Sequence, residues 1–81
     1  MGHAEIIGKV NDIFIDVLDN PDIVLTDETS ANDIAEWDSL NHIQLVVAIE
    51  KAFKLKFTAK EIQSWKNVGE MCKAINEKTN G

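Results

Sequence analysis

The 81-residue sequence contains one cysteine, one proline, no tyrosine and no arginine. The single cysteine, Cys72, cannot form an internal disulfide, and without a secretory leader we expect a cytoplasmic protein in which this thiol is a small buried hydrophobe. No apolar run approaches the roughly 20 residues that span a bilayer, so no membrane-spanning helix is expected. The lack of arginine makes reading of nucleic-acid bases unfavourable.

Charge is distributed unevenly along the chain, whose net charge is −6. Residues 1–38 contain ten acids and one lysine, a balance of −9, whereas residues 39–81 contain four acids and seven lysines, a balance of +3. The acidic half would repel a phosphate backbone, which disfavours a helix-turn-helix DNA binder that uses the lysine-rich half. The acidic half suits docking on basic protein surfaces, although solubility explains it equally well.

Apolar residues recur at helical spacing through most of the chain, and no segment alternates with period two. The first amphipathic helix is predicted between residues 4 and 19, and it ends before Pro21. A long loop over residues 22–38 follows, with a short helical turn near residues 30–34. Its apolar residues are interpreted as anchors that hold the loop on the core: Ile23, Val24, Leu25, Ile34 and Trp37.

The second half of the chain predicts three more helices. One covers residues 38–53, and the carboxylate of its first residue can accept hydrogen bonds from the free amides of the first turn. A short helix is predicted at residues 58–65, and a last helix begins near residue 67 and carries four residues inward: Val68, Met71, Cys72 and Ile75. The fold class is therefore an all-α, small four-helix bundle with three principal helices and one short one. We expect one domain over residues 1–81, with an ordered core at about 4–78.

The helix predicted at residues 38–53 is apolar on two opposite faces. One face is large enough to pack on a core and consists of Leu45, Val46, Ile49, Ala52 and Phe53. The other, which we name the apolar stripe, consists of Leu40, Ile43 and Val47. A bundle this small cannot bury both faces, so the stripe predicts a surface for a partner, a ligand or a tethered group. The alternative is that the long loop covers the stripe with Ile34 and Trp37.

Ser39 lies beside the stripe and allows three interpretations. It can be a plain first-turn residue after the cap Asp38. As a nucleophile it would need a base, and the only neighbour is His42, without a Gly-x-Ser-x-Gly turn or an oxyanion pocket, so a hydrolase is not expected. Alternatively, a phosphodiester on the hydroxyl would meet unpaired amides and the positive end of the helix dipole. Metal binding is not expected, because His3, His42 and Cys72 are isolated from one another.

The motif Asp38-Ser39-Leu40 enters an apolar helix after a long loop and an amphipathic first helix, and this arrangement resembles the acyl carrier protein and phosphopantetheine-binding family. The resemblance extends from Ile6 to about Ile75 and includes the order of the helices. It implies that Ser39 bears a covalent 4′-phosphopantetheine arm delivered from coenzyme A, whose thiol holds acyl cargo as a thioester. It also implies a non-catalytic protein that is itself the substrate of a phosphopantetheinyl transferase.

The same resemblance implies roles for two further groups of residues. Recognition by the transferase and by partner enzymes would use Glu36, Asp38, Leu40, Ile43, Val47 and Glu50. The acyl cavity between the helices would be lined by Phe57, Ile62 and Trp65. The implied partners are acyl-processing or acyl-transferring enzymes with basic docking surfaces, and we expect a monomer with no nucleic-acid or membrane partner.

Some residues depart from the pattern of bacterial fatty-acid carriers, which have several acids along the second helix. Here Asn41 and Gln44 are neutral, and lysines follow at Lys51, Lys54, Lys56 and Lys60. Trp37 stands where smaller residues are common, and we interpret it as a loop anchor against the core. We therefore expect a specialised pathway (polyketide, modified lipid, surface polysaccharide or aminoacyl) rather than housekeeping fatty-acid synthesis. The alternative function is an unmodified docking module that binds a partner helix through the apolar stripe.

Overall fold

The computed structural model describes residues 2–80, and over this range the chain is helical without strands. Its four α-helices are α1 (His3–Leu18), α2 (Ser39–Phe53), α3 (Ala59–Ser64) and α4 (Val68–Asn80). A 3-10 turn at Ala31–Asp33 interrupts the long first loop between α1 and α2. The predicted fold class, with three long helices and one short one, is confirmed. Within the described range, no helix is long and apolar enough to cross a membrane.

One hydrophobic core holds the long helices together, with α1 packed against both α2 and α4. Its fully buried side chains recur at three- and four-residue spacing: Ile6, Val10, Phe14, Leu45, Ile49, Val68, Met71, Cys72 and Ile75. The inward residues predicted for the last helix are therefore confirmed. The prediction for α2 is wrong at one position, because Ala52 is exposed. Ala52 lies at the edge of the inward face, where a methyl group is too short to reach the neighbouring helices.

The helix ends follow from capping residues. The Asp38 carboxylate caps α2 by accepting a hydrogen bond from the amide of Asn41 at 2.8 Å. At the other end of α2, Lys54 adopts a left-handed conformation with φ 56°, and its amide donates to the carbonyl of Glu50. Thr58 begins α3 with a reciprocal capping box to Glu61. The predicted starts at residues 38 and 58 are thus the caps of α2 and α3.

The side-chain amide of Asn11 holds the first loop on α1, and the His3 imidazole adds a contact to Asp27. Asn11 donates from Nδ2 to the carbonyl of Ile23 at 3.1 Å and accepts from the amide of Leu25 at 2.6 Å. Ile23, Leu25, Ile34 and Trp37 are buried, as predicted, but Val24 is 80% exposed, so its predicted anchoring role is wrong. The reason is that successive side chains of an extended segment point in opposite directions, and the two neighbours of Val24 point inward.

The loop also contacts the beginning of α4, where glycine is required. The amides of Val68 and Gly69 donate to the carbonyls of Thr29 and Asp27 at 2.8 and 2.9 Å. A Cβ atom at Gly69 would lie 2.9 Å from the Asp27 carbonyl oxygen, which is closer than van der Waals contact allows. This close approach of backbone to backbone holds the first loop against α4.

Candidate functional site

Ser39 is the first residue of α2, and its side chain is exposed. The amide of His42 is the first to donate along the helix, to the carbonyl of Asp38 at 2.8 Å. The Asn41 amide is occupied by the Asp38 carboxylate, so the amides of Ser39 and Leu40 remain in the free first turn at the positive end of the helix dipole. A hydroxyl at this place can hold a phosphate ester with favourable electrostatics.

A surface groove of about 670 Å³ begins at Ser39 and lies between α2 and α3. Its lining residues come from both helices and from the end of the first loop: Ala31, Trp37, Asp38, Ser39, His42, Ile43, Ala59, Ile62, Gln63 and Trp65. Of the three residues predicted to line an acyl cavity, Ile62 and Trp65 lie in this wall. Phe57 does not line the groove but packs edge-on against Trp65, with ring centroids 4.7 Å apart.

Ala31, Ala59 and Gln63 also line the groove, although none was singled out from the sequence. Helical spacing could have indicated Ala59, which lies three residues before Ile62 on the short helix, and then Gln63, which follows Ala59 by four residues. Ala31 carries no such signal, since its place depends on how the first loop folds back.

Another surface cavity, of about 720 Å³, lies along the first loop and has an acidic lining that includes Asp22, Glu28, Asp33 and Glu36. Its two hydroxyl side chains, Thr26 and Thr29, have their Oγ1 atoms 3.1 Å apart on the loop rather than at a helix N-terminus, and the cavity does not include Ser39. Within residues 2–80 there is no group of three histidine, cysteine or acidic side chains arranged to hold a metal ion. The groove that begins at Ser39 is therefore the candidate site, because the Ser39 hydroxyl lies at a helix N-terminus.

Aromatic side chains connect the groove to the core. Trp37 is only 8% exposed, packs edge-on against Phe14 at 4.9 Å and donates from Nε1 to Nδ1 of His42 at 3.0 Å. This confirms that Trp37 anchors the loop. The His42 ring is half-buried, and its Nδ1 bond goes to Trp37 rather than to Ser39. In the described part of the chain, the arrangement of a serine nucleophile activated by a histidine is absent.

The apolar stripe is open to solvent along the outer side of α2. Leu40, Ile43 and Val47 are 69%, 54% and 43% exposed. The alternative that the first loop covers them with Ile34 and Trp37 is wrong, because those two side chains are buried in the core instead. An exposed row of three aliphatic side chains beside Ser39 is suited to contact with another protein.

The three acids predicted to take part in recognition make structural hydrogen bonds as well. Asp38 caps α2, and Glu36 accepts a hydrogen bond from Nδ2 of Asn20 at 3.3 Å. Glu50 accepts a hydrogen bond from the amide of Phe57 at 2.8 Å and so secures the connection from α2 to α3. Glu36 and Asp38 lie close in sequence to Ser39, whereas Glu50 lies near the far end of α2, next to lysines.

The position of α3, and with it one wall of the groove, depends on Glu61. Its carboxylate closes the capping box with Thr58 and pairs with Nζ of Lys78 in α4 at 3.1 Å. Hydrogen bonds from the Thr58 amide and from Lys78 hold the pKa of the Glu61 carboxyl below its usual value. Lys78 also lies over the Phe57 ring, 5.5 Å from its centroid. These contacts tie α3 to α4.

Comparisons with known proteins agree on one family. Residues 8–75 match the family described as "Phosphopantetheine attachment site". The acyl carrier protein of Caulobacter vibrioides is 32% identical over 76 residues, which are 94% of this chain and 97% of the relative. The acyl carrier protein of Thermosynechococcus vestitus is 32% identical over 79 residues, which are 96% of each chain.

Solved structures show the same similarity in three dimensions. The solution NMR structure of the holo acyl carrier protein from Geobacter metallireducens is 44% identical, with a TM-score of 0.87 over 91% of this chain and 85% of that chain. A structure from Mycobacterium tuberculosis has a TM-score of 0.79 at 22% identity, over 89% of this chain and 96% of that chain, and supports the fold alone.

Proposed function

The chain belongs to the acyl carrier protein family, whose cofactor is covalent 4′-phosphopantetheine, and on that premise we propose that Ser39 is the residue to which this cofactor is attached. The protein is a non-catalytic carrier and a substrate of a phosphopantetheinyl transferase. The observation that carries the assignment is the exposed hydroxyl of Ser39 at the N-terminus of α2 and at the edge of the groove. An unmodified docking module is not favoured, because the family is defined by its cofactor.

The other serines are poorer candidates for attachment. The Ser64 hydroxyl donates to the carbonyl of Glu61 at 2.7 Å, and Ser30 caps the 3-10 turn in a capping box with Asp33. Neither lies at the start of a long helix. Ser39 has no such structural role, because Asp38 caps α2.

Attachment makes the Ser39 oxygen a nucleophile within the active site of the transferase. The Ser39 oxygen bonds to the phosphorus next to pantetheine in coenzyme A, the pyrophosphate bond at that phosphorus breaks, and adenosine 3′,5′-bisphosphate leaves. The hydroxyl proton passes to a base of the transferase. Once attached, the group supplies a thiol that binds acyl cargo as a thioester. The chain itself contributes the scaffold and the surface that partner enzymes bind.

A thiol count on the wild-type protein tests this function directly. Cys72 is fully buried, and burial raises the pKa of its thiol to about 11, so it should not react with a thiol reagent in the native protein at pH 8. After incubation with coenzyme A and a broad-specificity phosphopantetheinyl transferase, we expect the mass of one phosphopantetheine group and one reactive thiol per chain. The untreated, unmodified protein should show none until it is unfolded. If the mass of the protein is unchanged after this incubation, the proposal is contradicted.

We propose that partner enzymes bind along α2, with basic groups near Glu36 and Asp38 and apolar groups on the stripe. The acids lie close in sequence to Ser39, whereas the far end of α2 carries Lys51 and Lys54, so the docking face changes charge along its length. Partners that complement this face need positive charge only at the Ser39 end. Weak, fast docking of this kind suits a carrier that visits several enzymes.

Val47→Asp tests the apolar stripe as a docking surface. We expect kcat/KM for loading or acyl transfer by a partner enzyme to fall about tenfold, roughly 1.4 kcal/mol, because the carboxylate must lose its hydration against an apolar surface. Ala52→Asp adds the same charge to the same helix on an exposed position away from the stripe, and it should leave the rate nearly unchanged. Circular dichroism should show both variants folded; an unfolded Val47→Asp variant would mean that the stripe belongs to the core.

We further propose a specialised pathway rather than housekeeping fatty-acid synthesis. Support comes from α2, where Gln44 is exposed and neutral. Asn41 is also neutral, and its side-chain Nδ2 donates to the backbone carbonyl of Glu36 at 2.7 Å. Four lysines follow on and after the same helix. Mass spectrometry of the protein isolated from its own host identifies the acyl group on the thiol. A load made up solely of ordinary fatty-acid intermediates would contradict this proposal.

A further inference from the structure

The two ring nitrogens of His42 have different surroundings. Nδ1 accepts a hydrogen bond from Nε1 of Trp37 at 3.0 Å. An indole nitrogen can only donate, so Nδ1 of His42 bears no proton in this arrangement, and the neutral ring carries its proton on Nε2. The hydrogen bond from a buried tryptophan therefore selects one tautomer of a histidine in the wall of the groove.

The second nitrogen of His42, Nε2, is accessible to solvent. Within residues 2–80 no side-chain nitrogen or oxygen is both buried and without a hydrogen-bond partner. The hydrogen bond made by the His42 side chain uses Nδ1, so Nε2 must reach the surface. Because His42 lines the groove together with Ser39, the Nε2–H group is a donor available to a molecule lying there.

Aromatic neighbours hold the His42 ring on two sides. It stacks on Trp37 with centroids 6.0 Å apart and planes at 23°, and it meets Trp65 edge-on at 6.1 Å and 74°. Trp37 is itself fixed against Phe14 in the core. A ring held in this way can donate a hydrogen bond with little loss of conformational entropy, because its orientation is already set.

His42 follows Ser39 by three positions on α2. Side chains at this spacing are neighbours, with about 5–6 Å between Cβ atoms. A phosphodiester on the Ser39 oxygen would place its unesterified oxygens, which are strong acceptors, next to His42. The hydrogen bond of the Asp38 carboxylate in this structure goes through Oδ1 to the Asn41 backbone amide and not to the imidazole.

We propose that His42 is a positioning residue, whose Nε2–H donates a hydrogen bond to the phosphodiester of the arm. The inference rests on the proposed attachment at Ser39. The bond would direct the first part of the arm along the aromatic wall formed by His42 and Trp65, instead of leaving it to rotate freely in solvent. Trp37 acts through His42, by keeping Nδ1 unprotonated and Nε2 protonated.

NMR of protein labelled with ¹⁵N-histidine tests the proposal before and after loading with coenzyme A and a transferase. We expect the proton of His42 on Nε2 in both states. After loading, this proton should exchange more slowly with water and show a scalar coupling across the hydrogen bond to the ³¹P nucleus of the arm. Protonation on Nδ1, or an Nε2–H signal that loading leaves unchanged, would overturn the proposal.

Two variants give a second measurement that does not depend on observing the coupling. The ³¹P resonance of the loaded wild type should move when the protein is unfolded in urea, and most of this shift should be lost in loaded His42→Phe, which keeps a stacking ring without a donor. Gln63→Ala, which removes another polar side chain of the groove, should keep the full shift. An equal shift in His42→Phe and wild type would overturn the proposal. Failure to gain the mass of the arm would instead contradict the attachment at Ser39, so the two failures are distinguishable.

Discussion

Replacing Ser39 with alanine is expected to abolish attachment of the arm completely and to change the free energy of unfolding by less than about 0.5 kcal/mol. With the arm attached at residue 39, as proposed, loading requires an oxygen nucleophile there, and alanine has none. The fold does not depend on the serine, because its side chain is exposed and the capping bond comes from Asp38. Alanine is also the residue with the highest intrinsic helix propensity.

Mass spectrometry after incubation with coenzyme A and a transferase measures this effect, and urea denaturation measures stability. Ser64→Ala is the matched control, since it removes a hydroxyl from an exposed position at the end of α3 and should still gain one arm. An adduct on Ser39→Ala would place the attachment elsewhere. A Ser39→Ala variant that fails to load because it is unfolded would show that the serine has a structural role, contrary to the cap assigned to Asp38.

Replacing Trp37 with alanine is expected to lower the free energy of unfolding by about 3–5 kcal/mol. The indole is almost fully buried, packs on Phe14 and donates to His42, so its removal leaves a cavity and takes away one hydrogen bond. Domains typically have roughly 0.05–0.15 kcal/mol of stability per residue, or about 4–12 kcal/mol for this chain. The loss is therefore at least about a quarter of the total, and the urea midpoint should fall accordingly.

Urea denaturation followed by circular dichroism measures this loss, with two variants for comparison. Trp37→Phe keeps much of the packing and removes the N–H donor, so it should cost less than Trp37→Ala. Trp65→Ala removes the same side chain from a half-buried position in the groove wall and should also cost less. If Trp37→Ala were within 1 kcal/mol of the wild type, the indole would not be the anchor of the first loop.

The two predictions assign different roles to two parts of the molecule, the exposed start of α2 at Ser39 and the buried loop anchor at Trp37. In the proposed function Ser39 is needed for attachment of the arm, and it should contribute little to stability, because it lies exposed at the start of a helix that Asp38 caps. Trp37 matters for stability, and through His42 it also shapes the groove that begins at Ser39. A carrier of this kind makes no bonds itself, so its structure needs only to hold one hydroxyl in reach of other enzymes and to give the attached arm a defined surface.

Much of the fold could be predicted from the sequence, because helical periodicity is local. The stripe that includes Ile6, Val10 and Phe14 fixes the inward side of α1 through the backbone geometry of adjacent turns. The caps of α2 and α3 are predictable for the same reason, since a capping side chain bonds to an amide only two or three residues away. The motif around Ser39 and the exposed stripe beside it are likewise features of one helix and its first turn.

The features that could not be predicted from local sequence lie where segments distant in the chain come into contact. Val24 is exposed because Asn11 forms hydrogen bonds with the two residues on either side of it, Ile23 and Leu25. Gly69 packs closely on Asp27, which is far from it in the sequence. The groove is formed only when α3 is placed beside α2. The pairing of Trp37 with His42 joins the loop to the helix, and no spacing rule specifies which nitrogen is bonded.

Local sequence was enough to predict the four helices, the caps of α2 and α3, the inward faces apart from Ala52 and the serine at the start of α2, because each depends mainly on interactions within one or two turns. Local sequence could not predict which loop residues are buried, which side chains line the groove or which tautomer His42 adopts. These depend on packing between segments that the chain brings together after each has formed, and the free energy of that packing depends on shape and on hydrogen-bond partners that no single segment contains.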